Sequence, residues 1–217
     1  MQNSAKPLKT DVAPRRRGRP RAFDREGALA QATCLFWRKG YEATSISDLT
    51  ERMGISAPSL YAAFGSKDGL YAEALRHYAE NYDALVWDGF RAAPTAREAV
   101  LVYLRDSAAA LSGSLADNPL GCMVTLSSVG SDASSELGDL MRSARGVTLE
   151  RLEARLRQAV AEGELPPALD IHALARFVQT VQSGMSILAR DGASRAELEQ
   201  AAEIAMLGWD ARVRAKA

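Results

Sequence analysis

The chain has few of the residues that disulfide frameworks, metal sites and membrane spans require. Its 217 residues include two cysteines and two histidines, and no 18 consecutive residues are apolar. Two widely separated cysteines do not indicate a disulfide framework, and the missing apolar run predicts no membrane-spanning helix. The N-terminus is charged and lacks the apolar segment of a secretory signal. We therefore expect a cytoplasmic, all-helical chain.

The sequence also offers no recognisable catalytic or cofactor motif. His77 and His172 do not share a metal-ligand spacing such as two histidines four residues apart. The run Gly65-Ser66-Lys67 lacks the upstream glycine and preceding strand of a phosphate-binding loop. These features predict a protein that is not an enzyme and has neither a metal nor a cofactor.

Charge is distributed unevenly, although the formal net charge is zero. Residues 1–67 hold 12 lysines and arginines against six acidic residues, whereas residues 68–217 hold 15 against 21. The basic surplus includes Arg17, Arg19 and Arg21 in a proline-containing segment, residues 1–22, that we expect to be a flexible arm. A basic end on an acidic body is typical of a protein that docks DNA with one end. A basic tail without a partner is the alternative.

Residues 44–67 have the pattern of two short helices joined by a tight turn. Ser45 and Asp48 resemble a capping box, and Gly54 follows the first helix at a position that favours left-handed backbone. Ser56 can cap the second helix, which has Pro58 in its first turn. This pattern predicts a helix-turn-helix unit, a fold that places its second helix in the major groove of DNA.

The exposed face of the second helix would carry hydroxyl and small apolar groups. Ser56, Ser59 and Tyr61 offer hydroxyls, and Ala57 and Ala62 offer methyl groups. The helix has no Arg, Asn or Gln for a two-hydrogen-bond contact to guanine or adenine. We therefore expect modest direct readout, with thymine methyl contacts and DNA shape contributing, and minor-groove contact from the arginine arm.

Residues 25–71 resemble the DNA-binding domain of the TetR/AcrR family of bacterial transcriptional regulators. The matching residues are Leu29, Ala32, Phe36, Gly40, Tyr41, Thr44, Ser45, Ile46, Leu49, Gly54, Ile55, Ser56, Leu60, Tyr61, Phe64, Ser66, Lys67 and Leu70. The resemblance implies a three-helix DNA-binding domain over residues 23–70 and a larger helical effector-binding and dimerisation domain over residues 71–217. The DNA-binding residues predicted from the pattern and the resemblance together are Arg17, Arg19, Arg21, Thr44, Ser45, Ser56, Ala57, Ser59, Tyr61 and Lys67.

The remaining chain reads as successive helices. A fourth helix is predicted from its Ser66 cap to about Phe90, a fifth begins at the Thr95 cap, and a short apolar helix is predicted near residues 122–129. Ser194 and Glu197 predict a capping box at the start of the last helix. A long helix is then expected over about residues 134–162. The resemblance implies an effector pocket among these helices. Core packing is the alternative explanation for each pocket candidate and the better one for most. The candidates are Trp87, Phe90, Tyr103, Cys122, Met123, Leu126, Met141, Phe177, Val181 and Met185.

The last two helices carry apolar residues on more than one face, so both faces must be buried. One face can meet the rest of the subunit and the other a second copy in a two-fold interface, although a monomer with a larger core would also bury both. The predicted dimer interface consists of Ile171, Leu174, Val178, Val181, Met185, Leu188, Leu198, Ala201, Ala205 and Trp209. The resemblance implies the same homodimer.

Taken with these sequence features, the resemblance implies a homodimeric repressor that binds a palindromic DNA operator. A small, apolar or aromatic effector would release it by changing the spacing of the two DNA-binding heads. Two alternatives stay open. Cys122 lies at a predicted helix start, where a lowered thiol pKa would suit a redox or electrophile sensor. The chain could also be a ligand-free, DNA-coating interaction module.

Overall fold

The computed structural model describes residues 23–115, 118–127 and 136–215, and every regular element within them is an α-helix. The predicted arm residues Arg17, Arg19 and Arg21 lie outside these ranges. The helices are α1 Arg25–Lys39, α2 Ile46–Met53, α3 Ala57–Phe64, α4 Lys67–Tyr82, α5 Ala84–Ala92, α6 Ala96–Leu111, α7 Met123–Leu126, α8 Glu136–Ala161, α9 Ile171–Arg190 and α10 Arg195–Arg214. This part of the chain confirms the all-helical prediction.

The caps of α2 and α3 form where the sequence predicts them. Ser45 Oγ accepts the Asp48 N–H at 3.0 Å, and the Asp48 carboxylate accepts the Ser45 N–H at 2.9 Å, so the capping box is complete. Gly54 has φ = 67° and ends α2 in the left-handed region, where a glycine has no steric penalty. Ser56 Oγ then accepts the Ser59 N–H at the start of α3.

The first apolar cluster fixes α1, α2 and α3, which together form the DNA-binding head, to α4. Its buried members are Ala32, Phe36, Trp37, Leu49, Leu60, Phe64, Leu70, Tyr71, Ala74, Leu75, Met123, Leu137 and Met141. Three of these residues come from α7 and α8, so the base of the DNA-binding head packs on later parts of the chain. The domain division at residue 70 stays a prediction.

The fourth predicted helix is two helices, α4 and α5, separated at Asp83. The Asp83 backbone keeps helical dihedrals (φ −56°, ψ −48°), so the interruption is local. Its carboxylate binds Arg91 at 3.2 Å and also Arg151. The apolar side chains change partner here: Tyr82 packs against the first cluster, whereas Trp87 and Phe90 belong to a second. The apolar spacing in the sequence continues across Asp83, so it did not reveal that the side chains change packing partner there.

The second apolar cluster lies among α5, α6, α8, α9 and α10. Its largest fully buried side chains are Tyr103, Leu104, Leu152, Leu156 and Trp209. The α6 and α10 termini are capped by Thr95 and Ser194 as predicted, and α8 falls within the predicted residues 134–162. This cluster holds together the body on which the DNA-binding head sits.

The predicted dimer interface needs correction, because much of it is the subunit's own core. Six of its residues are buried within one chain: Leu174, Val178, Met185, Leu198, Ala205 and Trp209. Ile171, Val181 and Ala201 are half-buried, and Leu188 is half-exposed. The opposite faces of α9 and α10 leave large apolar groups exposed, namely Phe177, Ile187, Leu188, Ile204 and Leu207. Spacing identified both faces but did not tell which one the subunit buries.

Candidate nucleic-acid interface and ligand cavity

Helix α3 presents a shallow surface of hydroxyl groups. Ser56 and Ser59 are exposed, and their Oγ atoms lie 2.9 Å apart. Tyr61 is also exposed, with 47% of its surface accessible, whereas Ala57 is half-buried. Leu60 and Phe64 point the other way into the first apolar cluster. The helix is therefore anchored on one face and free to approach a DNA groove with the other.

Thr44 is not available as a DNA contact through its side chain. It is fully buried, and its hydroxyl donates to the Gly40 carbonyl at 2.6 Å, which ties the turn after α1 together. Ser45, its neighbour, is exposed at the N-cap of α2. Of the two candidates that the resemblance implies, Ser45 has the accessible side chain.

Lys67 is the first residue of α4 and lies half-buried beside Tyr41. Its Nζ is 4.1 Å from the centre of the Tyr41 ring, within the range of a cation–π contact. The Tyr41 hydroxyl in turn donates to Asp68. Burial, and then this hydrogen bond to Asp68, raise the pKa of Tyr41, so the hydroxyl stays protonated at neutral pH. The face of the Tyr41 ring therefore supports the Lys67 ammonium group.

Asp48 gives α2 a dependence on pH. Hydrogen bonds from Ser45 and from Lys39 at 2.9 Å lower its pKa from 3.8 to about 2. A carboxyl group whose pKa is lowered by folding stabilises the fold at pH values above its ordinary pKa of 3.8. This contribution is lost as the pH falls toward 2. Replacing Asp48 with asparagine should therefore lower the thermal midpoint at pH 7, and the difference from wild type should shrink between pH 4 and pH 2.

Thermal unfolding followed by circular dichroism checks this expectation. Asp88→Asn is the control, because Asp88 is exposed and pairs only with Arg91 three residues along α5. A gap between Asp48→Asn and wild type that stayed constant down to pH 2 would contradict the assigned role of the carboxylate.

A cavity of about 360 Å³ lies between the head and the body, bordered by α4, α5, α6, α8 and α9. Five aromatic side chains line it: Trp37, Tyr78, Tyr82, Trp87 and Tyr103. Trp37 packs edge-on against Tyr78 and Tyr82, with ring centres 4.8 Å and 5.1 Å apart, and Trp87 and Tyr103 form a separate tilted pair with ring centres 4.6 Å apart. This volume and apolar lining suit a small ligand.

A few polar groups face the same space. The Tyr78 hydroxyl donates to Cys122 Sγ at 3.4 Å, and burial raises the pKa of both Tyr78 and Tyr103. The amides of Gln179 and Gln182 and the side chain of Arg145 also belong to the lining. The cavity can therefore bind an apolar or aromatic body and donate hydrogen bonds to a polar substituent.

Three of the ten predicted pocket residues line this cavity: Trp87, Tyr103 and Cys122. Phe90 and Met185 are buried in the second apolar cluster, and Met123 and Met141 in the first. The other three do not line it either: Leu126 and Val181 are half-buried, and Phe177 is exposed. Packing therefore accounts for most of the apolar candidates.

Sequence reasoning missed the contribution of the head to the cavity wall. Trp37 follows Phe36 at the end of α1, and adjacent side chains on a helix point about 100° apart, so the two rings meet different neighbours although both belong to the first cluster. Phe36 stacks edge-on against Tyr71 in the first cluster, which turns Trp37 toward Tyr78 and Tyr82. That doublet was the signal available in the sequence.

The structure does not favour Cys122 as a sensor. The expectation relied on the dipole of a helix beginning at this residue, but α7 has four residues, so few aligned peptide dipoles are present to stabilise a thiolate. Its sulfur accepts a hydrogen bond from Tyr78 instead.

Among the described residues no cluster of three or more His, Cys, Asp or Glu could hold a metal ion, and no helix is long and apolar enough to span a membrane.

Known proteins are similar to this chain both in the head and over most of its length. Residues 28–74 match the family model of the bacterial regulatory proteins of the tetR family. The chain is 36% identical over 203 residues to the HTH-type transcriptional repressor ComR of Escherichia coli K12, covering 92% of this chain and 95% of ComR. It is 32% identical over 182 residues to the repressor BdcR of the same organism, covering 83% and 86%.

A solved structure extends the likeness to three dimensions. The TetR family regulator CifR, in a cysteine-substituted form complexed with 26-base-pair operator DNA, is 40% identical, with a TM-score of 0.80 over 87% of this chain and 98% of the CifR chain. The length of these matches and their identity leave one assignment. The chain belongs to the TetR family of bacterial transcriptional regulators.

Proposed function

We propose that the chain represses transcription by binding a specific operator as a dimer, and that a small molecule held in the aromatic cavity releases it. The observation that carries the proposal is the α3 surface of Ser56, Ser59 and Tyr61, anchored from behind by Leu60 and Phe64. The relatives ComR and BdcR are named as repressors, and CifR is bound to operator DNA. DNA binding assigns the site of action to the bacterial cytoplasm.

The proposed DNA contacts are Ser45, Ser56, Ala57, Ser59, Tyr61 and Lys67, together with the arm arginines Arg17, Arg19 and Arg21. Hydroxyl and ammonium groups of this kind bind phosphate oxygens and fix the register on the duplex. With no Arg, Asn or Gln on α3, sequence preference would come from thymine methyl contacts and DNA shape.

The proposed dimer interface is the exposed apolar surface of α9 and α10. Phe177, Leu188, Ile204 and Leu207 lie on this surface, 39% to 68% exposed. Gly184 lies between the first two along α9, and Gly208 directly follows Leu207 on α10. Solvated apolar groups in such number favour burial against a second copy. A dimer would present two α3 helices to two half-sites of one operator, spaced by a whole number of DNA turns.

The proposed effector is a small molecule with an aromatic or apolar body. It would stabilise a head arrangement that no longer fits successive major grooves, and its differential affinity for the two arrangements would lower DNA affinity. The ligand-free DNA-coating alternative needs no cavity, so the aromatic lining argues against it.

A binding titration at physiological salt tests the function. We expect tight, cooperative binding to DNA from directly upstream of this gene, and binding to a scrambled duplex of equal length that is weaker by a factor of about 10³ or more. Equal and steeply salt-dependent binding to both duplexes would identify a non-specific grip on phosphates. An effector that binds at saturation without weakening operator binding would refute the release mechanism.

A further inference from the structure

Arg190, the last residue of α9, joins the body to the head. Its guanidinium donates to the Trp37 carbonyl at 2.8 Å, the Arg38 carbonyl at 3.0 Å and the Leu120 carbonyl at 2.9 Å. The first two carbonyls lie in the last turn of α1, where helical partners run out and a positive charge is favoured. Arg190 forms no ion pair with another described residue, so these three carbonyl oxygens stabilise its positive charge.

Trp37 makes the reciprocal connection from the head to the body. Its indole N–H donates to the Gly121 carbonyl at 2.8 Å in a buried position. The ring lies against Tyr78 and Tyr82 and forms part of the cavity wall. A residue of α1, in the DNA-binding head, is therefore in direct reach of any molecule in the cavity.

The turn at residues 120–122, whose carbonyls accept hydrogen bonds from both Arg190 and Trp37, is held tightly against the body. Gly121 has φ = 75°, and a Cβ there would come within 2.8 Å of the Ser186 carbonyl oxygen. The Gly121 N–H donates to the Leu111 carbonyl at 2.8 Å, and the Cys122 N–H donates to Ser186 Oγ at 2.8 Å. A displacement of Trp37 would therefore meet a fixed support on α6 and α9.

We propose that Arg190, Trp37 and residues 120–122 form a clasp that sets the orientation of the head, and that cavity occupancy acts on the head through it. Arg190 and Trp37 are positioning residues, since neither is proposed to touch DNA. A ligand that moves the Trp37 ring would strain its bond to Gly121 and shift the end of α1, which Arg190 otherwise fixes. The inference rests on the proposed function for its effect on DNA.

A double-mutant cycle on operator affinity tests the clasp. Trp37→Phe keeps a ring and removes the indole N–H, and Arg190→Ala removes all three carbonyl contacts. Each single change should alter operator affinity at least about fivefold, the lower end of usual allosteric coupling. The double variant should differ little from the stronger single variant, because both changes open one clasp. Arg190→Lys, which keeps the charge but not the fork of donors, should fall between wild type and Arg190→Ala.

Two controls separate coupling from loss of structure. Trp209→Phe makes the same change at a tryptophan that is buried in the second apolar cluster and does not line the cavity, and Arg195→Ala removes an arginine whose ion-pair partner is Glu199 on α10. Both should leave operator affinity within about twofold of wild type. Unchanged affinity in Arg190→Ala and Trp37→Phe, or simple additivity of the two effects, would overturn the clasp.

Hydrogen exchange gives a readout that needs no DNA. In Arg190→Ala and in Trp37→Phe, the amides of Gly121 and Cys122 should exchange at least about tenfold faster than in wild type and in Trp209→Phe. Wild-type protection of these amides would overturn the clasp even if the protein proved to be a specific repressor. Conversely, a wild type that failed to discriminate between the two duplexes would sink the proposed function and leave this exchange test intact.

Discussion

Replacing Leu207 with aspartate is expected to convert the dimer to monomers and to lower operator affinity at least about a hundredfold. Leu207 is 68% exposed on α10, and burying a side chain of this size contributes about 1.5–3 kcal/mol. The two-fold arrangement counts this twice and would also bury two unpaired carboxylates. A hundredfold loss corresponds to about 2.8 kcal/mol, which is close to the lower end of the doubled contribution, about 3 kcal/mol.

Sedimentation at micromolar protein and an operator titration check this expectation together. Leu115→Asp is the matched control, because it makes the same change at a leucine that is 47% exposed and belongs to neither α9 nor α10, four residues after the end of α6. A Leu207→Asp protein that stayed dimeric would exclude the exposed α9–α10 surface as the interface.

Replacing Lys67 with alanine should weaken operator binding by an order of magnitude or more and reduce its dependence on salt. A phosphate contact releases about 0.9 counterion, so the slope of log affinity against log salt should fall by about 2 for the two heads of a dimer. The measurement is the operator affinity at four or more salt concentrations. Because Lys67 lies over the Tyr41 ring rather than in an ion pair, its removal should leave folding largely unchanged.

Lys39→Ala is the control for this change. It removes a lysine from the same head, but Lys39 Nζ already pairs with Asp48 at 2.9 Å. Its salt slope should therefore remain close to that of wild type. An unchanged slope in Lys67→Ala would show that the ammonium does not contact a phosphate.

The local features of the fold were predictable because single residues determine them. Ser45, Ser56, Ser66 and Ser194 each accept the expected backbone N–H at a helix start, and a side-chain cap depends only on residues three positions apart. The left-handed backbone at Gly54 follows from the same short-range logic. The capping box of α2 formed although its partner is aspartate rather than glutamate.

The relations between helices were harder to predict, because they depend on which apolar face finds which neighbour. Spacing alone did not distinguish Leu174 and Val178, which the subunit buries, from Phe177 and Ile204, which it leaves exposed. The interruption at Asp83 was missed for a similar reason, since its backbone stays helical. The cavity lining likewise draws Trp37 from a helix that sequence reasoning assigned wholly to the head.

The position of Trp37 bears on how freely such regulators can be recombined. A chimera that joined a foreign head to this body would replace one wall of the ligand cavity along with the DNA reader, and it would place the end of a different helix against Arg190. Ligand specificity and operator specificity would then change together. Engineers who wish to exchange the heads should keep Phe36, Trp37 and Arg38 with the body and place the junction after them, in the turn that leads to α2.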